Sequence, residues 1–368
     1  MVVLGGGFAG LHLIRRLERR LGPGEVELTL VDRQNYHLFT PLLYQVATGE
    51  LPPHAVAYPL RDATAPAGFR FVEHAFNVKW LSDGERLRRH VLDTFEDAAT
   101  ESDPAKRREL LTFIIVGAGP VGVELASSLR DLMDHTLRRI YPTIDFRREV
   151  TIHLLDSADR VIQQMDVRLS RIAMKRLASQ RVNVVLRTPV SEIAQNCVRT
   201  KDGVELRGRT IVWSGGVKAN PLLEKVALPK AKDGRMLVDE FFRASGRDDV
   251  LALGDAAYFE HAGRPLPLLA QVAVLEAPAA ARNIEALVRG EPLAPFVYKR
   301  KGDLVALGRR AAGAELAGLG GIVMGGLPAW TVWRANYLMQ LLGARNRGTL
   351  LVEWVLSYFA GRLVANTP

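Results

Sequence analysis

Two apolar strands that each run into a G-x-G-x-x-G turn and then a helical repeat predict an α/β fold, and a third strand late in the chain ends in Gly254-Asp255-Ala256. Strand, glycine turn and helix in that order form a Rossmann-like unit that binds a dinucleotide. The fold class expected is therefore α/β, with two Rossmann-like dinucleotide-binding domains and an amphipathic region at the C-terminal end.

The second unit is the clearer. Phe113 to Val116 is an apolar run rich in β-branched side chains, as a strand buried on both faces requires. Gly117, Gly119 and Gly122 follow, and helical periodicity begins at Val123. The first glycine allows the tight turn and the second lets the backbone approach a pyrophosphate. The third lets the helix pack close to the strand, and the helix N-terminus supplies N–H donors. A purely structural glycine turn is the competing reading; the strand before it and the helix after it favour the nucleotide.

The first unit opens the chain. Val2 to Leu4 leads into Gly5, Gly7 and Gly10, then a helix over Leu11 to Leu21 and a strand over Val26 to Val31 that ends at Asp32. An acid at the end of the second strand accepts from a ribose hydroxyl, against the alternative of a surface loop acid. Asn35 to Glu50 reads as irregular but is apolar, so it is expected to pack on a ligand or on a second domain. A strand over Phe69 to Ala75, an amphipathic helix over Ser82 to Ala99 and a charged linker over Glu101 to Glu109 complete this part.

Beyond the second fingerprint, the helix is expected to continue to Tyr141, ahead of Pro142. The strand Val150 to Leu155 ends at Asp156, whose carboxylate favours a free 2′-hydroxyl and hence NADH over NADPH. Arg160 could instead meet a 2′-phosphate. A helix over Leu169 to Gln180 and a strand over Val182 to Leu186 follow, and a strand over Thr210 to Ser214 ends in Gly215-Gly216. A strand over Asp249 to Leu253 precedes the Gly254-Asp255 turn, a helix spans Pro267 to Gly290, and Val297 to Arg309 carries a K-G pair between two short strands.

Composition narrows the function classes. The chain has 368 residues, a net charge of +9 and a single cysteine, Cys197. No Lys/Arg run is long enough for a nucleic-acid tail, so anionic ligands or an anionic membrane surface are the expected partners. One cysteine excludes an internal disulfide, a C-x-x-C pair and a cysteine-based zinc site, and no metal is expected. Met1 leads directly into a strand, so no secretory signal is expected. In the tail, Trp330, Trp333, Tyr337, Leu338, Leu341 and Leu342 fall mostly on one helical face, and Leu350 to Phe359 is a second apolar stretch with Arg347 and Arg362 at its edges. Neither reaches the roughly 20 apolar residues of a span, so helices lying in the membrane interface are expected. The alternatives are a helix pair that closes a homodimer or covers a core. Leu316 to Trp333 is uncharged but glycine-rich and reads as a strand plus a turn.

Several long segments together resemble the type II NADH:quinone oxidoreductases, single-subunit respiratory flavoproteins of the two-dinucleotide-binding reductase superfamily. They are V-V-L-G-G-G-F-A-G-L, V-D-R-Q-N-Y-H-L-F-T-P-L-L-Y-Q-V-A-T-G, I-I-V-G-A-G-P-V-G-V-E-L-A, V-W-S-G-G-V-K-A, L-A-L-G-D-A-A, P-L-L-A-Q-V-A and F-V-Y-K-R-K-G-D-L-V-A-L-G. The resemblance covers nearly the whole chain in order. It implies FAD on Gly5, Gly7, Gly10 and Asp32, with the ribityl chain at Gly254-Asp255, and NADH on Gly117, Gly119, Gly122 and Asp156, with Gly215-Gly216 close by. Gln271 would lie beside flavin and quinone, Lys301 near the isoalloxazine, and Glu124 near the nicotinamide, where it could manage protons. Hydride would pass from NADH to FAD and two electrons then to a quinone, without proton pumping, on the cytoplasmic face of the inner membrane.

The domains implied are 1–109 with 246–326 for FAD, 110–245 for NADH, and 327–368 for the membrane surface. Two departures stand out. The second glutamine usual after A-Q-x-A is replaced by Leu275, with Glu276 next. The β-meander and its closing A-T-G turn, expected after Phe69 to Ala75, are missing, because Phe76 to Asp83 joins strand and helix directly. A degenerate member that binds NADH without flavin, as a sensor or docking protein, is the alternative this leaves open.

Overall fold

The computed structural model describes residues 1–21, 25–32, 34, 36–59, 80–216, 219–341 and 344–359. The strand expected over Phe69 to Ala75 lies outside the described residues. The chain forms two compact units: residues 1–37, 59–69 and 217–300, and residues 38–58, 70–216 and 301–368. These units follow packing and cut the chain elsewhere than the division by cofactor does.

In the second unit, four parallel strands form one sheet in the order Thr210–Trp213, Thr112–Val116, Thr151–Leu155, Val182–Val185. Every residue of Thr112–Val116 is buried, as its apolar run requires. The helix Pro120–Leu132 continues through a π-helical turn, Met133–Leu137, to Ile140, as expected. The helix Leu81–Thr100 buries the face read from its periodicity: Leu87, Val91, Leu92, Phe95 and Ala98. Phe95 stacks on Phe113, Tyr141 and Phe146 at ring-centroid separations of 5.9, 5.7 and 5.4 Å. Each such pair contributes about 0.5–1.5 kcal/mol beyond its buried area. Two antiparallel sheets complete the unit: Val190–Ala194 with Cys197–Thr200 and Glu205–Arg207, and Gly302–Ala306 with Ala312–Leu316 and Ile322–Gly326.

Several sequence expectations need correction here. The charged linker contains a helix, Pro104–Leu110, because Asp103 caps it by accepting from Ala105 N–H at 2.8 Å and proline is tolerated at the first helical position. The segment read as irregular folds into the strand Tyr36–Leu38, a 3₁₀ turn Thr40–Leu42 and the helix Leu43–Ala47. Leu42 to Thr48 are all buried, and this stretch packs within the second unit, against the helices Leu81–Thr100 and Pro120–Leu132. An A-T-G does occur, at Ala47-Thr48-Gly49; it ends this short helix, with Gly49 at φ +66°, and closes no meander. Only one strand, Gly302–Ala306, forms at the K-G pair. Ahead of it, the Ala294 backbone is bonded on both sides by the Asn283 side chain, at 3.0 Å each, and Phe296 N–H donates to the Glu240 carbonyl.

In the first unit, Val2–Leu4 pairs in parallel with Thr29–Val31, and the helix Phe8–Arg20 packs on Ala270–Arg289. Phe242, Phe259 and Phe296 meet at 5.1–5.4 Å in the core, with Leu17 and Ile284 in the same cluster. Val3 faces this core, whereas Val2 and Leu4, on the other face of the strand, are 61% and 64% exposed.

Candidate active site

The two glycine turns are built alike. Gly5 and Gly117 stand at φ +101° and +108°, a region open to glycine and strained for other residues. A Cβ on Gly10 would lie 1.9 Å from the Gly5 carbonyl oxygen, and one on Gly122 would lie 1.9 Å from that of Gly117. The helices therefore approach their turns as only glycine permits. The N-cap of each helix is a glycine, Gly7 or Gly119, so no cap side chain occupies its N–H donors. A Cβ on Gly7 would meet nothing within 4 Å. The acids match as well: Asp32 accepts from Gly6 N–H and from Gln34 N–H at 2.8 Å, and Asp156 accepts from Ala118 N–H and from Ala158 N–H at 2.8 Å. Each cradle fits the pyrophosphate and ribose of a dinucleotide.

The sheet of the second unit adds a further reason. Its strand order reverses between Thr112–Val116 and Thr210–Trp213, and ligands bind at the carboxyl ends of strands at such a switch point. Both Gly117 and Gly215 lie there, so close that a Cβ on Gly117 would come 2.5 Å from Gly215 N. Gly216, at φ +120°, has open space around it. Arg160 donates to the carbonyls of Met165, at 3.0 Å, and Gln163 within its own loop.

In the first unit, the Gly254-Asp255-Ala256 turn sits against both helix starts: a Cβ on Gly254 would meet Ala9 at 3.3 Å and Ala273 at 3.1 Å. This brings Gly254 and exposed Asp255 together with the first glycine turn and the Gln271 end of the Ala270–Arg289 helix. His37 donates through Nδ1 to the Gly6 carbonyl at 2.9 Å, which makes Nε2 an acceptor; this atom is buried and, among the described residues, has no hydrogen-bond partner. An orphaned acceptor beside the turn suits a ligand rich in hydroxyls. Glu276 accepts from Gly254 N–H, and burial pushes its carboxyl up to about 7.

Glu124 and Lys301 belong to the second unit and are not neighbours. Glu124 is buried and accepts from Ala306 N–H at 2.9 Å; burial raises it to about 8, opposed by that N–H and by Trp333. Lys301 is exposed and precedes the Gly302–Ala306 strand, about 16 Å from Ala306 at the usual rise per residue. Gly302 beside it is obligatory: its φ is +115°, and a Cβ would lie 2.0 Å from the Glu315 carbonyl oxygen. Around Glu124 stand residues that the sequence does not mark as its neighbours. Tyr44 and Tyr337 have phenols held well above their usual range, first by burial and then by the charge of Glu124. Gln45 donates to the Tyr44 hydroxyl at 3.2 Å and accepts from the Trp354 indole at 3.0 Å.

The face read for the tail is thereby corrected. In the helices Leu327–Gln340 and Ala344–Phe359, Trp333, Leu341, Leu350 and Trp354 are buried in the second unit. Arg334 lies between the rings of Trp330 and Trp354, at 4.1 and 4.5 Å, and pairs with Glu50 at 3.3 Å. Such a cation–π sandwich holds the helix to protein. The exposed apolar side chains are others: Leu327, Met339, Leu351, Val352, Val355 and Leu356. Among the described residues, no helix is long and apolar enough to cross a membrane, and no group of His, Cys, Asp or Glu could hold a metal ion.

The family profile of the pyridine nucleotide-disulphide oxidoreductases matches residues 73–277, and that of the NDH2 C-terminal domain residues 300–363. The type II NADH:quinone oxidoreductase Ndh of Mycobacterium tuberculosis is 30% identical over 98% of this chain and 88% of its own length. This chain belongs to the type II NADH:quinone oxidoreductase family. An internal alternative NAD(P)H-ubiquinone oxidoreductase of Arabidopsis thaliana is 26% identical over 98% of this chain and 87% of its own length. NDH2 from Plasmodium falciparum, solved in complex with NADH, shares the fold with a TM-score of 0.85 over 99% of both chains, at 16% identity. The mycobacterial alignment runs over 421 positions against 368 residues here, so this type II oxidoreductase is gapped against its relative.

Proposed function

We propose that this chain catalyses electron transfer from NADH to a quinone at a membrane surface, with FAD in the first glycine cradle and NADH in the second. The observation that carries this reading is the repeated acid-and-turn geometry, Asp32 on Gly6 and Asp156 on Ala118, in a chain of this family. When bound, FAD supplies the two-electron chemistry, accepting hydride and delivering electrons to the quinone.

The protein's part is to bind and to place. Gly5, Gly7, Gly10 and the N–H groups after them hold the flavin pyrophosphate, Asp32 its ribose, and Gly254-Asp255 the ribityl chain. Gly117, Gly119, Gly122 and Asp156 do the same for NADH, with Gly215-Gly216 closing the crevice. Glu124, poised near neutral pH, holds or releases a proton close to the nicotinamide and quinone. Gln271 positions the isoalloxazine. By ligand, residues 1–109 with 246–326 form the FAD domain and 110–245 the NADH domain. The exposed residues Leu351, Val352, Val355 and Leu356 seat the 327–368 region on the cytoplasmic face of the inner membrane.

The test is spectroscopic. Anaerobic NADH should bleach the flavin of the FAD-loaded protein, and an added quinone should restore its colour. Flavin that stays oxidised under NADH would refute the reading.

A further inference from the structure

The Pro120–Leu132 helix grips the hairpin between Gly302–Ala306 and Ala312–Leu316 at two levels. At the first, Glu124 accepts from Ala306 N–H at 2.9 Å. At the second, two turns further along, Asp131 accepts from Arg309 N–H. Asp131 is 4% exposed and is held from the side as well. Gln180 Nε2 donates to it at 3.1 Å, and Gln180 is fixed in turn by the Ser127 hydroxyl at 2.7 Å. Arg176 stands 3.8 Å from Asp131 and donates through Nε to the Leu307 carbonyl at 3.0 Å; His135 lies 4.0 Å off on the exposed side. Gly308, at φ +81°, completes the fit, because a Cβ there would lie 2.2 Å from Asp131 Oδ2. A buried carboxylate, an arginine and an obligatory glycine thus meet at one hairpin turn.

We propose that Asp131 is a positioning residue for Glu124: by pinning the Leu307–Ala311 turn to the helix, it holds the Gly302–Ala306 strand where Ala306 N–H donates to Glu124. That N–H is the hydrogen bond that favours ionised Glu124 against burial; the nearby Trp333 indole acts in the same direction without forming one. The remaining titratable groups that sense its charge are the Tyr44 and Tyr337 phenols, which burial keeps neutral. With no cation among these groups, one backbone hydrogen bond sets much of the balance, and a loosened hairpin moves it toward the protonated acid.

The proposal rests on the role given to Glu124 above, and its test separates the two. In FAD-loaded protein, the protonated carboxyl band of Glu124 is followed by infrared titration, identified by its loss in Glu124→Gln, alongside the pH profile of kcat. Asp131→Ala should move the titration upward by about one pH unit, and the kinetic limb with it. Arg176→Gln, a milder loosening of the same turn, should shift it in the same direction and serves if Asp131→Ala does not fold. An infrared midpoint unchanged in both variants overturns the positioning role, whatever the kinetics. A kinetic limb that persists in Glu124→Gln overturns the role of Glu124 and leaves the infrared result to decide the positioning.

Discussion

The Asp156 carboxylate accepts a hydrogen bond from the backbone N–H of Ala118, the residue between the first two glycines of the second turn. The acid is thereby fixed at the mouth of the pyrophosphate cradle, where a ribose hydroxyl would donate to it and a 2′-phosphate would meet a like charge. NADH should therefore bind at least about tenfold more tightly than NADPH, about 1.4 kcal/mol. Asp156→Ser should remove most of that difference. Titration of both nucleotides by fluorescence quenching checks it; equal affinities in the unaltered protein would show that Asp156 does not select.

Two glycines of the first turn should behave oppositely. Gly10→Ala drives a methyl into the Gly5 carbonyl and should cost about 1–3 kcal/mol in stability even without ligand, read as a lower melting temperature. Gly7→Ala has room for its methyl, so the flavin-free protein should melt within about 0.5 kcal/mol of the original. The same methyl would stand in the pyrophosphate cradle, so FAD should bind at least tenfold more weakly. If Gly7→Ala leaves FAD affinity unchanged, the cradle is not where the pyrophosphate lies.

Glu124 and Glu276 bear on stability against pH. Both carboxyls are raised in the folded chain, to about 8 and about 7, and titrate near their ordinary values once unfolded. Protonated acid is favoured in the fold, so this stabilisation is fully present below about pH 4.5 and is lost as pH rises to about 8. Melting temperature should fall across that window. Glu124→Gln should flatten the fall and melt higher than the original at pH 8, by a margin on the order of 5 °C. Parallel melting curves for the two proteins from pH 5 to pH 8 would contradict the burial argument.

The exposed apolar side chains of the Ala344–Phe359 helix, not its buried Trp354, are the ones free to meet a membrane. Leu351→Ser, Val352→Ser, Val355→Ser and Leu356→Ser together should release the protein from sedimented anionic vesicles with little change in melting temperature. Trp354→Ala, by contrast, should lower melting by removing a buried indole and its bond to Gln45, at a cost of about 3–5 kcal/mol. Deleting the tail would confuse the two effects, because its helices are part of the core. Undiminished sedimentation of the fourfold variant would place the contact elsewhere.

The pattern of what was legible in the sequence follows from range. Gly117, Gly122 and Asp156 were readable because strand, turn and acid are local devices with fixed spacing, and the Leu87-to-Ala98 face because periodicity is local too. Leu42 to Thr48 carries no period, and its burial comes from helices far along the chain. The Asp103-Pro104 cap was a readable signal masked by the surrounding charge. In the tail, Trp and Arg suit an interface and a cation–π core equally, and only packing against Glu50 and Gln45 decides. Asp131 has no sequence signal at all, since its partners come from Gln180, Arg176 and Arg309.

The first unit carries the sharpest test of how FAD and folding depend on one another. The turn proposed for FAD is intact in Gly5, Gly7, Gly10 and Asp32, and the Gly254 turn abuts it. Yet Val2 and Leu4 expose one face of their strand, and Val31 on its neighbour is 47% exposed. Apolar strand surface left open to water contributes nothing to stability and invites association between chains. Ligand binding to the native state should therefore supply an unusual share of this unit's stability, about 2.7 kcal/mol at FAD a hundredfold above its Kd. We expect FAD to bind weakly, to leave on gel filtration, and to raise the melting temperature markedly when added in excess. The flavin-free protein should aggregate faster on warming, and Leu4→Thr should slow that aggregation without altering FAD affinity. Flavin retained in one-to-one ratio through filtration would show that the open face costs the site nothing. An absent melting shift at saturating FAD would instead favour a chain that binds NADH alone.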